Sequence, residues 1–116
     1  MMVREERRRY LRAKLKWPVT VILSNVQVNG EIQNISQQGA YISFQETPPH
    51  KGSLRLVIRP PNREPLKVTA EVIWTIATSS GEGAATYGAG VYFEYISEED
   101  SKFLHNLVRE MEESDE

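Results

Sequence analysis

The sequence predicts an all-β fold, a six-stranded antiparallel β-barrel with a flexible basic N-terminal arm and a C-terminal α-helix. Three observations carry that expectation. Apolar and polar residues alternate with period two in short runs between residues 19 and 95, the mark of half-buried strands. No helical pattern separates those runs, which favours a closed antiparallel barrel or a sandwich, and closure also removes the edges an open sheet would expose. After the last run the period changes to that of a helix.

In the first strand Val19, Val21 and Leu23 share one face, with Thr20 and Ser24 on the other. A turn at Ser24 and Asn25 leads into a second strand over residues 26–35, where Gly30 predicts a bulge or a close backbone approach. Ala40, Ile42 and Phe44 alternate with Tyr41, Ser43 and Gln45 in the third, and Pro48-Pro49-His50-Lys51-Gly52 forms a loop. Leu54, Leu56 and Ile58 alternate with Arg55 and Arg59 in the fourth, which Pro60 and Pro61 stop. Val68, Ala70, Val72 and Trp74 share one face of the fifth, and Val91, Phe93 and Tyr95 one face of the sixth. The small, polar residues 78–86 between them predict a mobile loop.

Ser97 then N-caps a helix whose first turn is acidic, where the dipole favours anions. Phe103, Leu104, Leu107, Val108 and Met111 form its apolar stripe, so it should pack on the barrel. The acidic residues beyond Met111 oppose the dipole, and the last turn is expected to fray. The expected parts are an arm over residues 1–16, a barrel over 17–96 and a helix over 97–113, within one domain.

The composition is that of an ordinary globular chain, with 40% hydrophobic and 26% charged residues. There is no cysteine, which excludes disulfides, thiolate metal sites and cysteine nucleophiles. No apolar run approaches the ~18 residues of a membrane span, and the N-terminus lacks a signal peptide's apolar stretch. A cytoplasmic protein without membrane insertion is therefore expected. The net charge of −2 hides an asymmetry: Arg4, Arg7, Arg8, Arg9, Arg12, Lys14 and Lys16 crowd one end, and acids crowd the other. Such polarity concerns partners more than fold, and the basic end suits a phosphate-bearing ligand. His50 and His105 lack partners at metal-ligand spacing, Ser36 has no identifiable base, and no nucleotide-binding glycine pattern occurs. The sequence therefore predicts no enzyme.

Two features remain. Arg8 and Arg12 form an Arg-x-x-x-Arg pair flanked by Arg7 and Arg9, just before the first strand. A guanidinium forks two hydrogen bonds onto a phosphate or onto guanine O6 and N7, and its flat face stacks on a base. Alone, such a run reads more simply as a solvated or nonspecific nucleic-acid-binding arm. The second feature is Asn34-Ile35-Ser36-Gln37-Gln38-Gly39, between strands two and three. Asn34 and Ser36 can donate and accept, and Gly39 allows a left-handed turn or a close backbone approach, but an ordinary Asx-type turn would look the same.

In this order the two motifs, Arg8-x-x-x-Arg12 and Asn34-x-Ser36-x-x-Gly39, resemble the PilZ domain family. The resemblance continues through Ala70-Glu71-Val72-Ile73-Trp74, Tyr87-Gly88-Ala89-Gly90-Val91-Tyr92-Phe93 and Ser97-Glu98-Glu99-Asp100. It implies the bacterial second messenger cyclic di-GMP as ligand and no cofactor. Arg8 and Arg12, assisted by Arg7 or Arg9, would contact phosphate and guanine, and Asn34 and Ser36 would read the ligand from the barrel. Many family members carry Asp at the position of Asn34, and an amide offers one acceptor oxygen where a carboxylate offers two. An arginine placed as Arg7 is resembles members that bind an intercalated ligand dimer. Parity makes Trp74 a core or rim residue, whereas the resemblance adds a peripheral ligand contact. The arm is expected to order on the ligand and so change a surface for a separate effector protein. The alternatives are a ligand-independent relative acting in type IV pilus assembly, which retention of both motifs disfavours, and a small nucleic-acid-binding barrel.

Overall fold

Inward-facing apolar residues at every second position build six strands: β1 (Arg12–Leu23), β2 (Val26–Ser36), β3 (Gly39–Phe44), β4 (Ser53–Ile58), β5 (Leu66–Ser79) and β6 (Ala85–Tyr95). The structure, a computed structural model, describes residues 12–24, 26–47, 52–79 and 85–114. All pairings are antiparallel in the order β1-β2-β3-β6-β5-β4, and β4 returns to β1, so the sheet closes into the expected barrel. Val21, Ile32, Ile35, Ile42, Ile58 and Leu66 meet inside it with no solvent exposure.

The helix α1 (Glu98–Ser114) covers one end of the barrel and packs against β1 and β2. Its cap is the expected one, with the Asp100 amide donating to Ser97 Oγ at 3.1 Å and the Ser101 amide to the Ser97 carbonyl at 2.9 Å. Leu104 and Val108 are buried, and Phe103, Leu107 and Met111 pack partly buried beside them. Trp17 of β1 stacks on Phe103 with ring centroids 6.4 Å apart. Arg63, in the β4–β5 loop, lies 4.2 Å over the other part of this contact, the Phe103 ring, and 3.4 Å from Asp100 Oδ1. That side chain ties the loop to the first turn of α1.

Four register shifts separate the barrel from a regular one. Leu15 and Lys16 of β1 oppose the single residue Gln33 of β2. Gln33 in β2 is itself an extra residue against β3, Ile73 in β5 is extra against β6, and Glu94 in β6 is extra against β5. Because side chains alternate, one extra residue sends everything beyond it to the opposite face. Tyr95 is therefore 78% exposed and not inward with Val91 and Phe93. Gly30 carries no bulge. A Cβ there would lie 2.8 Å from Ile42 Cγ2 and 2.9 Å from Phe44 Cε1, so the position serves close packing.

Two boundaries differ from the period-two pattern. β1 begins at Arg12, so residues 12–16 belong to a strand paired with β2, where the charge pattern had suggested an arm. Thr78, Ser79, Ala85 and Thr86 are paired strand residues, and only 80–84 lie outside the described residues. Small polar residues on a solvated hairpin look like a loop in sequence because they lack apolar alternation. α1 runs through Ser114 although its last turn has no basic residue.

Leu104→Ala should cost about 2–5 kcal/mol by leaving a cavity under α1. Ser97→Ala should cost about 1 kcal/mol through the lost cap. Both are read as a lower urea midpoint at unchanged slope.

Candidate ligand-binding groove

The bulges in β1, β2 and β5 fall in one zone of the barrel wall, and together they present a transverse row of side chains. Lys14 pairs with Asn34, Asn34 with Tyr41, Tyr41 with Gly90, and Gly90 with Trp74. Without the shifts Asn34 and Trp74 would have the parity of Ile32 and Val72, which face the core, whereas Lys14 already shares the outward parity of Lys16 and Pro18. The structure thus corrects the parity placement of Trp74. It is 48% exposed on the outer wall, because Ile73 is the extra residue that turns it outward.

On that wall Trp74 stacks on Tyr41, with centroids 5.5 Å apart and planes 21° from parallel. The stack needs a floor without side chains. A Cβ on Gly90 would come within 2.5 Å of Trp74 Cε2, and one on Gly88 within 2.6 Å of Tyr41 Cζ. Two glycines two positions apart on one face of β6 therefore seat two aromatic rings. Neither Tyr41 nor this glycine pair was selected from sequence as part of the site. The available signal was the Gly88-Ala89-Gly90 spacing itself, which leaves one strand face bare.

The Asn34–Gly39 segment ends β2 and opens β3. Ser36 is 5% exposed, and its Oγ accepts from the Gln38 and Gly39 amides at 3.1 Å each and donates to the Gly39 carbonyl at 3.3 Å. The hydroxyl holds the turn shut. Gly39 uses the close-approach option, since its φ is not positive and a Cβ there would collide with the Val91 carbonyl of β6. The Phe93 amide donates to the Gln38 carbonyl at 2.7 Å, fixing the turn to β6. Asn34 is half-buried and engaged in contacts within the molecule.

Between the turn and the aromatic pair lies an open groove of about 280 Å³, lined among others by Ser36, Gln38, Gly39, Tyr41, Trp74 and Tyr92. Arg12, the one residue of the arginine pair within the described residues, is opposite Ser36 of the turn in the β1–β2 register. Arg7, Arg8 and Arg9 lie outside the described residues. A larger groove of about 760 Å³ near Arg55, Lys67 and Tyr95 contains none of the residues selected from sequence. Among the described residues no cluster of His, Asp or Glu could hold a metal ion, and no helix is long and apolar enough to cross a membrane.

The architecture is therefore a six-stranded barrel capped by one helix, with a polar turn and an aromatic-walled groove on its outer face. The chain belongs to the PilZ domain family, whose family model matches residues 6–110. Its fold is shared with the PilZ domain of YcgR from Escherichia coli, solved with c-di-GMP, at 15% identity and a TM-score of 0.73 over 93% of each chain. The Bacillus subtilis inhibitor of motility (MotI/DgrA) matches at 19% identity and a TM-score of 0.74, over 92% of this chain and 52% of that one. The Borreliella burgdorferi PlzA protein in complex with c-di-GMP matches at 13% identity and a TM-score of 0.67, over 100% and 59%. This chain thus spans about half the length of the B. subtilis protein. No curated protein matches it.

Gly90→Ala should push Trp74 off its seat while leaving Trp17 buried. The expected readout is greater iodide quenching of tryptophan fluorescence, and Trp74→Phe should abolish the difference. Unchanged quenching would mean that the glycine floor does not hold the ring.

Proposed function

We propose that this chain is a non-enzymatic receptor for cyclic di-GMP whose arginine-bearing N-terminal segment closes over the groove and thereby alters a surface for a partner protein. The observation that carries this reading is the register of β1 on β2. It sets Arg12, one residue of the arginine motif, across from Ser36 of the Asn34–Gly39 turn. Structures of two family relatives, the YcgR domain and PlzA, contain c-di-GMP, which supports the same ligand here.

Each part has a chemical task. Arg8 and Arg12 neutralise phosphate and fork onto guanine acceptors, with Arg7 and Arg9 beside them. Asn34 reads a guanine edge from the barrel wall. Ser36 acts through the turn it closes, which holds the Gln38–Gly39 backbone at the groove. Trp74 and Tyr41 supply a flat apolar wall against which a base can lie. Before binding, clustered arginines repel one another, and the ligand's two phosphates remove that penalty. In this reading Arg7 serves a second, intercalated nucleotide.

Calorimetric titration tests the proposal, with GMP and a short single-stranded oligonucleotide as controls. Cyclic di-GMP should bind, while the oligonucleotide should show only weak, steeply salt-dependent heat. Arg8→Ala and Arg12→Ala should each weaken binding at least about tenfold, as expected for a lost charge-assisted contact of roughly 1.5–3 kcal/mol. No heat with cyclic di-GMP would reject the ligand, and normal binding by both variants would reject the arginine assignment. A ratio of two ligands per chain that falls to one in Arg7→Ala would support the intercalated pair; one ligand in the parent chain would remove it.

A further inference from the structure

β4 leaves β5 early. Its pairing with β5 runs from Ile58–Leu66 to Ser53–Glu71, and one further bond follows, from the Val72 amide to the Gly52 carbonyl at 3.3 Å. Beyond that point β5 continues to Ser79 with β6 on one side and, among the described residues, no strand on the other. Among the described residues, 73–78 thus form an edge about 20 Å long with no partner strand.

Beyond the bulge at Ile73, this edge lacks the usual protections. Exposed strand edges are normally blunted by charge, proline, a bulge or a short length. From Val72 to Gly81 there is no charged residue and no proline. The pairing from Trp74–Gly90 to Ser79–Ala85 is regular. Ile73, Trp74 and Ile76 are 58%, 48% and 50% exposed. A flat, apolar, uncharged edge of this kind is a template for another strand.

We propose that a second copy of this chain occupies it, β5 pairing antiparallel with β5 about a two-fold axis at Thr75. The segment is self-complementary in that register. Thr75 faces Thr75, Trp74 faces Ile76 of the second copy, and Ile73 faces Ala77. Threonine pairs and aromatic–β-branched pairs are among the favourable cross-strand combinations. The absence of charge means that no like charges meet, which is the usual obstacle to pairing a strand with itself. The contact also continues the site: the row Asn34, Tyr41, Gly90, Trp74 extends into Ile76 of the second copy, so the two grooves share one continuous wall.

The chain has no cysteine, which allows a direct test. Opposed Cα atoms in an antiparallel pair lie about 4.5–5.5 Å apart, within the span a disulfide tolerates. Thr75→Cys should oxidise rapidly to a covalent dimer, while Thr86→Cys, on the neighbouring strand, should not. In sedimentation equilibrium the parent chain should be a dimer, and Thr75→Lys, which sets two ammonium groups opposite each other, should be a monomer with unchanged circular dichroism. A parent chain that stays monomeric at high micromolar concentration would overturn the proposal and leave the edge to a different strand. So would a dimer that Thr75→Lys does not split, or equal oxidation of the two cysteine variants.

Discussion

Closure of the sheet by β4 pairing with β1 is the constraint on which the rest depends. A closed sheet has a single inside, so each strand's alternation is locked to the same core and no strand can slip without burying its polar set. Within such a wall a side chain needed outside at an inward position can be moved only by adding a residue. The extra residues in β2 and β5 do this for Asn34 and Trp74, the extra residue in β1 keeps the outward Lys14 opposite Asn34, and the result is the outward row from Lys14 to Trp74. Bulges next to binding sites re-aim side chains elsewhere as well. Here they explain why the groove lies on the flank of the barrel, with the apolar interior undisturbed.

What could be read in the sequence follows the same division. The alternation of Val19 with Val21, of Ala40 with Ile42 and Phe44, and of Leu54 with Leu56 and Ile58 is uninterrupted, and each run is a strand with those residues buried. The helix was legible from Ser97 to Met111 because its cap and its stripe are local patterns. Trp74 and Tyr95 were misplaced for one shared reason. A bulge leaves no residue-type signature when the extra residue is an ordinary Ile73 or Glu94, so parity counted through it comes out reversed. Among the candidate site residues, Arg12, Asn34, Ser36 and Gly39 were legible as parts of motifs, and the register sets Arg12 across from Ser36. Tyr41 was missed because its role depends on Gly88 and Gly90, which neighbour it only in the folded sheet.

The groove is built largely from rigid backbone. Ser36 spends its hydroxyl on the Gln38 and Gly39 amides and the Gly39 carbonyl, and Gln38 is tied to Phe93 across the turn. The aromatic wall rests on a glycine floor that leaves its rings little room to sink. Under the proposed function, a ligand entering this groove would meet a surface already in place, with the barrel supplying shape at little conformational cost.

The groove and the β5 edge meet at one place. Trp74 faces outward because Ile73 is an extra residue in β5, and the strand pairing of β4 with β5 ends just before it, at Glu71. Placing lysine or proline there would protect the edge, but a charge beside Trp74 would alter the wall, and a proline would bend the strand that positions it. A self-complementary, uncharged sequence resolves the conflict. It keeps the aromatic wall flat and lets a second copy satisfy the exposed backbone, so the requirements of the site and of the edge are met by the same residues.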